Sequence, residues 1–201
     1  GSLYDTECLS LFGTNSFNLV WEKICAEIMD NQLDVPLGIL KLPVPLKEDY
    51  NRRQKLIELI EKPLWTITGK CAKDTLIPDL VSICKVNEQH QFIIFDAKYY
   101  NAHLEKGIVP TGQPGIESIT KQYLYQLAYQ RFIEDHNFSS VKNCFLLPTE
   151  NNEIEDKGEV RMEMLSNLVL QDIKIRLIPA TMAYDLYLSG SKMDMERLDL
   201  Q

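Results

Sequence analysis

What this chain has little of narrows its chemistry before any motif is read. Histidine occurs three times, at His90, His103 and His136, never two together, and each reads as a surface residue rather than a metal ligand. Five cysteines (Cys8, Cys25, Cys71, Cys84, Cys144) form no CxxC pair, which argues against a zinc ribbon and a disulfide framework. Cys25, Cys84 and Cys144 lie in apolar runs, where a free thiol behaves as a small hydrophobe. No apolar run approaches the roughly 18 residues that span a bilayer, and no signal peptide is visible, so the expected compartment is cytoplasmic, with no membrane partner. There is no Gly-rich phosphate loop, Ser-His-Asp set, internal repeat or low-complexity tract. Basic residues are also short: 21 Lys and Arg face 29 Asp and Glu, a net charge of −8. Affinity for nucleic acid rests largely on Lys and Arg neutralising phosphates, so a chain with this balance is not built to hold DNA unaided.

The 201 residues suffice for one α/β domain with a sizeable core. Gly1-Ser2 without an initiating Met reads as an expression scar. Residues 1–16 are expected to be that remnant plus a leader, 17–189 the chemistry-bearing domain, and 190–201 a polar tail that frays.

The chain's central stretch is Ile77 to Tyr100, IPDLVSICKVNEQHQFIIFDAKYY. Two β-rich runs, Leu80 to Val86 and Phe92 to Phe95, flank a short polar interruption and predict a hairpin. Strand side chains alternate faces, so Asp96 and Lys98 point one way and Ala97 the other. Pairing brings Asp79 beside Asp96, or within one ladder position of it. Two carboxylates and an ammonium then converge at the end of an apolar hairpin, where each is costly to bury unless paired or bound to an ion. This set suits metal-assisted phosphodiester cleavage. Two carboxylate oxygens suit Mg²⁺, a hard cation that keeps several waters and can also take a phosphate oxygen. Lys98 is placed to hold the attacking water or to stabilise the crowded negative charge of the transition state.

The phrase PDLV, then FDAKYY, then KQYLYQLAYQ resembles the PD-(D/E)xK nuclease superfamily. More narrowly, it looks like the nuclease subunits of the LlaJI and McrC type of restriction endonuclease, over roughly Phe17 to Leu147. The resemblance implies a mixed central β-sheet flanked by helices, a restriction-endonuclease-like core, and Mg²⁺-dependent cleavage of double-stranded DNA, with Mn²⁺ able to substitute. Carried onto matching positions, Asp79 and Asp96 are the expected metal ligands and Lys98 the catalytic lysine. Asp96 stands where many members carry Glu, one methylene longer. The net negative charge then points to a DNA-recognition domain or NTPase motor subunit supplying the affinity. One site per chain points to pairing of two chains, or a second nick, for a double-strand cut.

Around this centre, Phe17 to Met29 predicts a helix with Phe17, Val20, Trp21, Ile24, Cys25 and Ile28 on one stripe. Glu22 lies about 130° from the stripe's centre and Glu27 about 90° on the other side, at about 100° per residue. Angle alone favours Glu27 as an acid reaching the metal; the Trp21-Glu22 pair resembles the superfamily's usual phrase and favours Glu22. Glu117 to Ile133 predicts a helix apolar nearly all round, with Gln122, Gln126 and Gln130 as a polar row. That row is either a solvent strip or, as the resemblance implies, one that brings Lys121 and Gln122 to the metal site and scissile phosphate. The Gly/Pro-punctuated loop before Gly115 is expected to face DNA, with Lys106 as a phosphate contact.

The remaining expectations are a loop over Asp30–Leu46 and an amphipathic helix over Lys47–Glu61 with Arg52 and Arg53 outward. A strand over Leu64–Thr68 follows, with Trp65 in the core, and a buried strand over Val141–Leu147. Glu150–Glu159 reads as an acidic loop, Val160–Leu165 and Asp172–Ile178 as strands, and Ala180–Leu188 as a helix.

Overall fold

The computed structural model describes residues 14–201; residues 1–13, with Cys8 and most of the expected leader, lie outside the described residues. Helix α1, Thr14–Ile28, buries Trp21, Ile24, Cys25 and Ile28, while Val20 falls off the expected stripe and is exposed. The chain then runs to Ile60 without a regular helix. The helix expected over 47–61 is absent; only a 3-10 turn, Leu56–Leu59, forms there. Its backbone bonds to the preceding segment instead: Leu37 N–H donates to Gln54 O, Gly38 N–H to Arg52 O, Leu56 N–H to Val35 O and Ile57 N–H to Leu33 O. Asn51 adds a local turn by accepting the Arg53 N–H on its side chain, a bond that competes with helix formation.

Two short strands follow, β1 (Leu64–Trp65) and β2 (Lys70–Cys71), paired with each other and separate from the main sheet. Trp65 is therefore not core, as its aromatic character led us to expect, but 65% exposed.

The main sheet starts with β3 (Leu80–Val86) and β4 (Gln89–Ala97), the predicted hairpin. Its turn is only Asn87-Glu88, both at positive φ (51° and 64°), the two-residue turn whose twist matches paired strands. Helix α2, Ile116–Asp135, leads to β5, Ser140–Thr149. An edge strand β6 (Glu155–Val160), then β7 (Ile173–Pro179) and helix α3 (Ala180–Ser189), complete the set. The strand order is β3-β4-β5-β7-β6. β4, β5 and β7 run parallel, and β3 and β6 are antiparallel to their neighbours, giving the expected mixed sheet of an α/β fold.

Alternation in β4 sorts the two faces. Ile93, Phe95 and Ala97 pack with Trp21 and Ile28 of α1 and Ala183 of α3; Phe92 and Ile94 pack with Tyr125, Tyr129 and Phe132 of α2. Among the described residues no helix is long and apolar enough to cross a membrane.

Four further expectations differ from the structure. The acidic run is partly strand β6, a charged edge of the kind that discourages further pairing, and the expected strand over 160–165 is a 3-10 turn, Glu163–Leu165. The residues after Gly190 do not fray: Met193, Leu198 and Leu200 are buried in the α1 face of the core. Arg176, 3% exposed, holds them there by donating to the Leu198 and Asp199 carbonyls at 2.6 Å each and to Asp156 Oδ1 at 2.7 Å. His136 is wholly buried rather than superficial. Its Nε2 accepts the Lys47 N–H at 3.2 Å, so the ring proton sits on Nδ1 and bonds the Phe132 carbonyl at 2.8 Å.

Candidate active site

The β3–β4 register sets Leu80 opposite Phe95; one position further along, Asp79 faces Asp96. The Asp79 side chain is fixed there, its Oδ2 accepting the Ala97 N–H at 2.9 Å. Asp96 is 7% exposed, and Lys98 Nζ stands 3.4 Å from its Oδ1. Burial, followed by a hydrogen bond that protonated Asp96 donates to Asp79 and by the Asp79 charge, pushes the Asp96 carboxyl up to about 8, with Lys98 pulling the other way. Burial works against the Lys98 ammonium, but Asp96 and Asp79 outweigh it and raise its pKa, so the lysine is a fixed cation.

Helix α1 supplies the third side. Trp21 Nε1–H donates to the Leu146 carbonyl at 3.1 Å, and the Lys98 N–H ends on the same oxygen at 3.0 Å. Glu22, next to Trp21, is raised by burial and by the Asp79 charge and lowered by Lys98, so it lies in the field of both. Glu27 pairs instead with Lys192 Nζ at 3.4 Å. Of the two candidate acids, Glu22 is the one within electrostatic range of Asp79 and Lys98.

Helix α2 closes the other side. Gln122 is fully buried and donates to the Ile94 carbonyl at 3.3 Å and Asn143 Oδ1 at 3.2 Å. It therefore reaches the middle of the sheet, one pleat below Asp96, and its Oε1 has no partner among the described residues. Gln126 joins the same chain, accepting from Asn143 Nδ2 at 3.0 Å, so this part of the glutamine row is buried and not a solvent strip. Lys121 pairs with Glu117 at 2.8 Å in the first turn of α2. Lys106 is exposed in a loop pinned by the His103–Thr111 bridge. A cavity of about 590 Å³ lies between that loop and the end of β5, with Tyr99, Tyr100 and Thr149 in its wall.

Tyr125 escaped the sequence reading. Its hydroxyl donates to the Ile77 carbonyl at 3.0 Å, and burial with the charges of Asp96 and Asp79 raises its pKa. Only the pairing of α2 with the segment before Asp79 reveals it; in sequence Tyr125 is one more aromatic on an apolar helix.

The carboxylate pair fits a divalent cation. Asp96 is buried and Asp79 half-buried beside it, and a bound cation would favour the ionised form of Asp96 that Asp79 and burial disfavour. Among the described residues no group of three or more His, Cys, Asp and Glu side chains is arranged to hold a metal. Two carboxylates with the remaining positions left to water and phosphate is what Mg²⁺ asks of a protein.

A mixed sheet with an acid ahead of one strand and Asp-x-Lys closing its hairpin partner is compatible with a restriction-endonuclease-like core. Comparison with known proteins narrows this. The sequence pattern of the LlaJI restriction endonuclease family matches residues 4–185, and the chain belongs to that family. It is also similar to the Type II restriction enzyme BsuMI component YdjA of Bacillus subtilis (strain 168), at 28% identity over 196 residues, 94% of this chain and 36% of the relative. The chain thus spans about a third of the length of that relative. No solved structure matches.

Proposed function

We propose that this chain is the Mg²⁺-dependent DNA-cleaving module of a restriction system, working with recognition or motor elements outside these residues. The observation that carries the reading is the cross-strand placement of Asp79 against Asp96 with Lys98 alongside. Family membership and the similarity to a restriction enzyme component support it.

Asp79 and Asp96 are the residues to hold the cation. When bound, it supplies a water of lowered pKa and offsets charge on the scissile phosphate. The protein does the rest by positioning. The Ala97 N–H fixes Asp79, and Tyr125 fixes the Ile77 carbonyl two residues upstream. Lys98, held charged, faces the negative charge that builds on the phosphoryl oxygens, where a preorganised cation is worth most. Its protonation makes it an electrostatic group rather than a base. Glu22 is placed to take a proton from, or orient, the attacking water.

Incubation of the protein with Mg²⁺, duplex DNA and its natural partners tests this. Cleavage that survives Asp79→Ala rejects the reading. Lys98→Ala is expected to abolish cleavage while Mn²⁺ binding by calorimetry persists. A chain that binds no divalent ion is instead a nuclease-fold assembly module.

A further inference from the structure

We propose that the β1–β2 hairpin is a DNA-contacting arm that seats the duplex against the carboxylate pair; this rests on the reading of the chain as a DNA-cleaving module. The hairpin stands apart from the main sheet, and Leu64, Trp65 and Ile67 are 60%, 65% and 98% exposed. None of the three belongs to a core cluster. Scattered surface apolar residues need no explanation, but a run of them on one projecting element does.

The tip is closed by hydrogen bonds. The Trp65 carbonyl accepts the Thr68 N–H at 3.1 Å, the Gly69 N–H at 2.9 Å and the Thr68 hydroxyl at 3.0 Å. Gly69 at φ +62° supplies the left-handed residue that closes the turn. The fold thus holds an isoleucine and a tryptophan out in water.

Charge selects the partner. The chain carries −8 overall, yet from Lys62 to Lys73 there are three lysines (Lys62, Lys70, Lys73) and no acid. A basic element tipped with apolar wedges suits a duplex: lysines on the phosphates, Ile67 and Trp65 against the bases of the minor groove. An acidic or purely apolar protein surface would use only half of these features. Position agrees. Asp79 follows Lys73 by six positions, no more than about 20 Å of extended chain, and that linker is tied down by Thr75 Oγ1–H donating to the Glu61 carbonyl at 2.8 Å and by the Tyr125 bond to Ile77. A duplex at the acids passes within reach of the arm.

Of the chain's two tryptophans, Trp21 is 3% exposed and Trp65 65%, so the solvent-sensitive emission reports Trp65. The test measures binding of a fluorescein-labelled duplex in Ca²⁺ over a range of salt that starts low enough for the chain to bind unaided, alongside tryptophan emission; cleavage in Mg²⁺ is measured separately, with the natural partners present, for the parent and Asp79→Ala. DNA is expected to quench Trp65, and Trp65→Ala with Ile67→Ser to weaken binding tenfold or more. Lys70→Gln with Lys73→Gln should reduce the slope of log affinity against log salt by about two. Unchanged affinity and slope in both variants overturn the proposal, as does a Trp65 signal that follows protein concentration instead of DNA, which marks pairing of two copies. A parent that binds the duplex through the arm but never cuts it, even with its natural partners present, sinks the nuclease reading and leaves the arm standing; a parent that cuts without engaging Trp65 does the reverse.

Discussion

Trp21 and Lys98 share one acceptor, the Leu146 carbonyl, at 3.1 Å from the indole N–H and 3.0 Å from the lysine's backbone N–H. Helix α1 is thereby registered against the end of β4, and Glu22 comes with it. Trp21→Phe keeps an aromatic ring in the core and deletes the indole bond. The expected loss of stability is about 1 kcal/mol, small beside a fall in cleavage of roughly tenfold or more from a displaced acid. Denaturant unfolding and single-turnover cleavage measured on one preparation check the split.

On the proposed function, Asp79 has two tasks that substitution can separate. Asn at this position keeps an oxygen for the Ala97 N–H and removes the repulsion with Asp96; Ala leaves a buried N–H without its partner, at about 1–3 kcal/mol. Both variants should lose metal binding and cleavage, but Asp79→Asn should melt above Asp79→Ala. Equal melting temperatures would show that the bond at 2.9 Å contributes nothing.

The Asp96 shift fixes a pH dependence for the metal-free chain. Its folded value is raised from 3.8 to about 8, so between those limits the folded state keeps a proton that the unfolded state has released. Stability therefore falls as pH rises through this window. Melting in EDTA should drop from about pH 5 to about pH 8, less steeply in Asp96→Asn, and Mg²⁺ should stabilise the parent more at the upper end. A parent and Asp96→Asn with parallel profiles would falsify the assignment of this slope to Asp96.

Arg176 joins β7 to the last ordered segment through the Leu198 and Asp199 carbonyls and to β6 through Asp156. Arg176→Leu replaces a buried cation with an apolar side chain but leaves both carbonyls unpaired, an expected cost of roughly 3 kcal/mol. Hydrogen exchange should show residues 193–200 losing protection first, ahead of the sheet.

The hairpin and α2 were readable in the sequence because their signals are local: two β-rich runs about a polar turn, and helical apolar spacing. Asp79, Asp96 and Lys98 inherit their placement from that pairing. What could not be read depends on distant partners. The 47–61 segment has a helical pattern, but residues 33–38 capture its N–H groups or offer it their own. Trp65 has the composition of core and sits on a hairpin that meets no sheet. Gln122 matched a family role on helix position alone, whereas the depth at which α2 lies over β4 and β5 turns it inward to Ile94 and Asn143. Met193, Leu198 and Leu200 follow no period, and only Arg176 and the α1 face explain their burial.

That last segment has a practical consequence for anyone splicing this domain to another. A fusion joint drawn at Gly190, where the final helix stops in a left-handed turn, would strip three apolar plugs from beneath α1 and strand a guanidinium in the interior. The safe seam lies past Leu200, and chimaeras that respect it should stay soluble where shorter ones precipitate.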